Sequence, residues 1–230
     1  MARVRLSASH ANNRLADPRH QALIDALSQA HLTLLGGFAI NAQDDLPINC
    51  GSVLLIGPDE PRFWPEFIRS AEYQDGAPDP MDRWSKRQLN RIAVIHNGHA
   101  IFPSDGPPFA PFYSWALRTG LAWASPIGLL VHAQAGLFVS FRGALAVPWD
   151  VEFDSIQSPC SSCATKPCQS SCPVGAFSKD GYDVAICKNH LTTPAGLDCM
   201  TQGCAARRAC PIGQDRRIPD QSAFHMDAFI

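Results

Sequence analysis

Apolar residues recur near helical spacing at Leu23, Leu27, Ala30 and Leu34, directly after Asp17-Pro18. Asp offers an acceptor to the free amides of a first turn. Pro is tolerated at the first helical position, where its missing N–H would be unpaired anyway. The pair therefore predicts a helix start, and Gly36-Gly37 predicts its end. Residues 38–41 read as the start of a strand. The apolar run SVLLI at 52–56 predicts a buried strand, stopped by Gly57-Pro58. A short helix is expected over 62–73, with Phe63, Trp64, Phe67 and Ile68 as its apolar face. Asp79-Pro80 repeats the opening signal and starts a longer helix through Trp84, Leu89, Ile92 and Ile95. Pro103 to Pro111 is a Pro- and Gly-rich loop. Helix resumes over 112–119 and ends at Gly120.

The clearest β signal lies at 127–147. There IGLLVH and LFVSFRG flank AQAG, a short turn containing Gly136, and the pattern predicts a hairpin. Helices mixed with a few strands, without regular β-α-β alternation, predict an α+β fold with an antiparallel sheet. Residues 148–159, bounded by prolines, read as a linker or domain edge. The expected organisation is therefore a domain over 1–150 for a cofactor or substrate, then a small domain with a C-terminal tail over 151–230. Residues 1–150 contain no internal repeat.

Composition narrows the class. A chain of 230 residues, 46% hydrophobic and 17% charged, can bury a core and is not a disordered chain. With a formal net charge of −2, it shows no global basic excess that would point to nucleic acid. No run approaches the ~18 apolar residues of a membrane span. The first sixteen residues carry Arg3, Arg5 and Arg14 and no acid, faintly like a transit peptide; the alternative is a frayed start before a helix. No secretory signal is recognisable, so a reducing cytoplasm is expected.

The cysteines change the picture. Of nine, eight lie between Cys160 and Cys210. The first group reads Cys160-x2-Cys163-x4-Cys168-x3-Cys172-Pro173. A cubane iron–sulfur cluster needs thiolates on several corners of a body a few ångströms across. The bacterial ferredoxin run C-x2-C-x2-C-x3-C-P supplies three, and its last cysteine serves a second cluster. Here only the middle spacer differs. The following Pro has no N–H and a fixed φ, which helps turn the chain away. Val174, Ala176 and Phe177 are placed to keep water off.

The second group is looser: Cys187-x11-Cys199-x4-Cys204-x5-Cys210-Pro211. It also ends in Cys-Pro, and Ile212-Gly213 mirrors Val174-Gly175. Crossed ligation assigns Cys160, Cys163, Cys168 and Cys210 to one [4Fe–4S] cluster. The other takes Cys172, Cys187, Cys199 and Cys204. Eight cysteines for two four-ligand clusters leave none over in the tract. Structural zinc and disulfides are the alternatives, but paired zinc knuckles would show two C-x2-C pairs and only one exists. Cys50, outside the tract, reads as a core cysteine.

Two stretches resemble the epoxyqueuosine reductase family of cobalamin-dependent iron–sulfur enzymes. The first is residues 115–147, containing ALRTGLAWASPIGLLVHAQAGLFVSFRGALAV, similar to the family in its order of Gly, Trp, strand, turn and strand. The second is the cysteine tract, where Cys187 is followed by HLTTPAG. The resemblance spans roughly residues 79–213. It implies a nitroreductase-like α+β domain with a cobalamin site, joined to a ferredoxin-like two-cluster domain. Gly120, Trp123 and Gly128 fall in the cofactor-proximal stretch: the glycines allow close backbone approach to a flat ligand and Trp123 offers a stacking face. Asp105 is the nearest match to the family's proton donor, with a turn residue as the plainer reading. The chain departs from the family in its middle spacer and its last cysteine group. It also lacks the C-terminal repeat region associated with tRNA, so tRNA is not expected.

His96, His99 and His132 read as surface or strand-end residues. Arg83, Lys86, Arg87 and Arg91 give the 79–95 helix a basic face, solvated or suited to an acidic partner or a cofactor phosphate. Three functions remain in view. One is an iron–sulfur reductase passing electrons to cobalamin, flavin or a small-molecule substrate. Another is a ferredoxin-like carrier fed by a redox partner protein. The last is a non-enzymatic cobalamin-handling protein. The first accounts best for 150 residues beyond the cysteine tract.

Overall fold

A computed structural model describes residues 17–230 apart from 42, 43, 45, 47, 48 and 180. The arginine-bearing first sixteen residues lie outside the described ones. The chain is mixed α+β with small antiparallel sheets. In order it forms α1 (Pro18–Gln29), β1 (Leu32–Ala39), β2 (Ser52–Pro58), α2 (Phe63–Phe67), α3 (Ala71–Gln74) and α4 (Pro80–Ile95). Next come β3 (His99–Ile101), α5 (Phe112–Arg118), β4 (Ala122–Ala124), β5 (Leu130–His132) and β6 (Gly143–Val147). The cysteine tract adds α6 (Pro159–Ser162), β7 (Phe177–Ser178), β8 (Gly181–Tyr182), α7 (Val184–Leu191), α8 (Leu197–Gln202) and α9 (Ala205–Arg208). The last helix is α10 (Pro219–Asp227).

The main sheet has the order β1-β2-β6-β3, all antiparallel. Its central strand β2 is buried along its whole length because both faces are covered. Leu54 and Ile56 face a core with Leu23 and Leu27 of α1 and Trp84, Leu89 and Ile92 of α4. Val53 and Leu55 face a second core with Phe112, Trp115 and Ala116 of α5. Full burial of each such side chain stabilises the fold by about 1.5–3 kcal/mol. That two-sided burial is why the strand is a continuous apolar run and does not alternate.

Both Asp-Pro pairs open helices. Asp17 accepts the Arg19 N–H at 2.9 Å. Asp79 makes no capping bond and stands at φ +53°, so there Pro80 and the apolar face of α4 carry the start. The helix expected to run through Leu34 stops earlier. His31 adopts φ +54°, and Leu32 begins a strand paired with Pro58. Gly36-Gly37 is not a helix stop. The pair lies in an irregularity of the β1 ladder, where the register shifts between Leu34 and Gly37 and Gly36 takes φ +127°. Residues 62–73 form two short helices, the second capped by Ser70.

The hairpin expected over 127–147 does not form. β5 pairs backwards with β4, Trp123 opposite Val131, around a turn in which Gly128 N–H donates to Ser125. β6 goes instead to the centre of the main sheet, between β2 and β3, where all five of its residues are buried. Pairing on both edges outweighs the local turn signal at AQAG. That turn is closed by buried His132, whose Nδ1 accepts the N–H groups of Gln134 and Ala135 at 3.2 Å. Its Nε2 must then carry the proton, which it donates to Leu35 O at 3.0 Å.

The stretch read as a linker or domain edge is packed against the sheet at its start. Trp149 and Val151 join the first core. From the far end, Phe224 of α10 packs among Trp64, Phe67 and Tyr73, with ring centroids 5.6–6.1 Å apart. Among the described residues, no helix is long and apolar enough to cross a membrane.

Candidate metal centre

All nine cysteines are free thiols. Eight of them sort into two cavities. Ser158 caps α6 and accepts the Cys160 N–H, holding Cys160 and Cys163 at the two ends of one helical turn. Lys166, at φ +40°, reverses the chain into a short 3-10 turn that carries buried Cys168. Cys210 arrives after α9 and is also buried. These four thiols line one cavity with Val131, Leu137 and Ile212, a tight space of about 20 Å³.

The second set is gathered from more distant elements. Cys172 follows the 3-10 turn, and its sulfur accepts the Ala176 N–H at 3.3 Å. Cys187 lies on α7, whose first turn is capped by Asp183. Cys199 is buried on α8, and Cys204 stands at the N-cap of α9. With Phe177, Tyr182, Met226 and Phe229 they line a roomier cavity of about 230 Å³. Tyr182 stacks on Phe177 at 4.6 Å, which roofs the thiols with aromatic surface.

Electrostatics divide the thiols the same way. Burial pushes up the thiols of Cys160, Cys168 and Cys204. Cys210 and Cys163 add to this for Cys160, and Cys160, Cys210 and Cys163 for Cys168. Cys199 does so for Cys204, whose sulfur is favoured as an anion by the backbone N–H groups of Arg207 and Ala206. Thiolates crowded together out of water cannot all ionise unless positive charge is brought among them. Among the described residues, no three His, Cys, Asp or Glu converge as ligands of a single metal ion do. Each set encloses a space instead. A tetrahedral zinc site would draw its sulfurs to within about 3.8 Å of one another.

The remaining candidates are scattered. Asp105 lies in an exposed loop, ion-paired with Lys86 at 2.5 Å. Gly120, at φ +67°, turns its open side onto Ser155, 2.9 Å from where a Cβ would stand. Gly128, at φ +78°, has open space beside it. Half-buried Trp123 packs on the apolar cluster that contains Cys168 and Cys210. None of these four lines either thiol cavity. His96 ends α4, His99 is exposed, and both nitrogens of His132 are used in the fold. The basic face of α4 is largely neutralised: Arg83 pairs with Asp75 at 2.8 Å, Lys86 with Asp105 and Arg87 with Glu72.

Arg207 and His225 line the second thiol cavity as well, and nothing in the sequence singles them out. An isolated Arg or His has no spacing to read. Only the return of α10 over α8 brings His225 to the thiols. No protein-family model and no curated protein matches the chain in sequence.

Proposed function

We propose that the protein carries two [4Fe–4S] clusters and uses them to pass electrons to a small molecule. One cluster is held by Cys160, Cys163, Cys168 and Cys210, the other by Cys172, Cys187, Cys199 and Cys204. The single observation that supports this is the sorting of eight thiols, four to each of two apolar cavities. The donor set fits: four sulfurs to each cavity, a mainly apolar surround, and an N–H aimed at the Cys172 sulfur. The first space is the smaller of the two. When bound, such clusters supply one-electron transfer at low potential. The protein's own part is to hold the thiols, line the cavities with Val131, Leu137, Phe177 and Tyr182, and place Arg207 beside the second set.

The finer fold reading goes with this: a nitroreductase-like unit followed by a ferredoxin-like unit. The small β7–β8 hairpin between the two cysteine groups supports the latter. For cobalamin or flavin, Gly120, Trp123 and Gly128 supply no common cradle, so no step is routed through either. The test is anaerobic purification with iron, sulfide and zinc analysis. About eight irons and eight sulfides per chain are expected. About two zinc ions without sulfide would sink the proposal. Clusters that reduce no bound small molecule would leave a ferredoxin-like carrier fed by a redox partner protein.

A further inference from the structure

A second cavity of about 240 Å³ adjoins the second thiol set and shares Cys204, Arg207 and His225 with it. Its wall is of a different character. Glu60 comes from the loop after β2, Arg142 from the residue before β6, and Arg216 and Gln221 from the C-terminal stretch. Among the described residues, none of the three guanidiniums takes part in an ion pair. Each is thinly satisfied. Arg142 donates to Ser140 Oγ at 2.6 Å while its Nε, shut off from solvent, has no partner. Arg207 donates to Leu137 O at 2.6 Å. A guanidinium has five N–H groups. Gln221 is only 8% exposed, and its Oε1 is buried without a partner.

We propose that this cavity is a binding site for a small oxyanion-bearing molecule, a carboxylate or a phosphate, held by Arg142 and Arg207 beside the second thiol set. The planar fork of a guanidinium matches two oxygens of such a group. Arg142 and Arg207 are half-buried; positive charge partly withdrawn from water without a counter-ion is costly, and an anion offsets that cost. Glu60 is the one carboxylate on the wall. Its Oε2 is buried without a partner, and burial pushes the carboxyl up to about 7, so near neutral pH it carries only part of its charge against the arginines. The volume is below that of pockets for drug-sized ligands, so the occupant is small, neither a corrin nor a flavin. Binding does not depend on the clusters; the occupant's role as their electron acceptor rests on the proposed function.

Calorimetry on the full chain, with inorganic phosphate and with succinate as probes, tests this at low ionic strength. Cluster content is measured separately on the same protein, so loss of clusters and loss of anion binding are distinguishable. Saturable binding of at least one probe is expected, weakened about tenfold or more in Arg142→Gln and Arg207→Gln. Arg83→Gln, on the outer face of α4, is expected to bind as the parent does. Glu60→Gln removes the competing carboxylate and is expected to tighten binding. It keeps the proposal testable if an arginine variant fails to fold. No binding up to about 10 mM of either probe overturns the site. So does binding unmoved by the arginine substitutions, or by Glu60→Gln where they do not fold.

Discussion

Gly136 lays its bare Cα against the carbonyl of Ile212, so closely that a Cβ there would stand less than 3.0 Å from that oxygen and 3.2 Å from Cys210 Sγ. The contact is reciprocal. A Cβ on Gly213 would stand 2.5 Å from Ala135 O. The turn after β5 and the turn after Cys210 are thus pressed backbone to backbone. This is how the N-terminal region positions the last thiol of the first set.

Gly136→Ala is therefore expected to cost about 2–5 kcal/mol. Part comes from placing a side chain at φ +55° and part from overpacking. Chemical denaturation gives the stability loss. Paramagnetic resonance is expected to show the signal of the proposed first cluster lost before that of the second. Parent-like stability would show that the two turns separate freely.

The crossed thiol sets make a sharp forecast. Cys172→Ser is expected to spare the paramagnetic signal of the Cys160, Cys163 and Cys168 cluster and abolish the other. Cys210→Ser is expected to do the reverse. Loss of the first cluster in the Cys172 variant would mean that sequence neighbours share a cluster.

His132 makes folding sensitive to acid. Burial lowers it from 6.5 to about 4. The unfolded chain therefore takes up this proton first as pH falls. Stability from the neutral ring is fully present above about pH 6.5 and is lost as pH falls toward 4, by roughly 3 kcal/mol in total. His225, lowered to about 3, acts in the same direction. His132→Gln is expected to cost about 2 kcal/mol at neutral pH. It should also flatten the stability slope between pH 6.5 and 4. An unchanged slope would assign the acid sensitivity elsewhere.

Phe224 fastens α10 to the aromatic group of α2, α3 and α4. Phe224→Ala is expected to cost about 1–3 kcal/mol, because the side chain is only partly buried. Protease is expected to cut first in the C-terminal stretch. Since α10 carries Gln221 and His225, anion binding should weaken with it. Cleavage first within β2 or β6 would contradict this order.

Features that rest on near neighbours were legible in the sequence. Asp-Pro openings, the apolar stripe of α4 and the SVLLI run express bonds and packing of residues a turn or a strand apart. The end of α1 was misplaced because Leu34 satisfies helical spacing while its strand partner, Ile56, is 22 positions away. The 127–147 hairpin failed for a related reason. Its second half reads as a strand from local composition, but the choice of partner lay with β2 and β3.

The cysteine count and spacing by themselves pointed to two sets of four thiols, and each set lines one cavity. A multi-sulfur site constrains short separations, and short separations are written in the chain. What only the tertiary structure decided is what surrounds them. Glu60, Arg142, Arg207 and His225 line one cavity across 165 positions of sequence, and no spacing rule links them. They meet because β6 is drawn into the middle of the sheet and α10 is drawn back by Phe224. Burial of apolar surface has no direction and no fixed sequence distance, so its consequences appear only once the chain has folded.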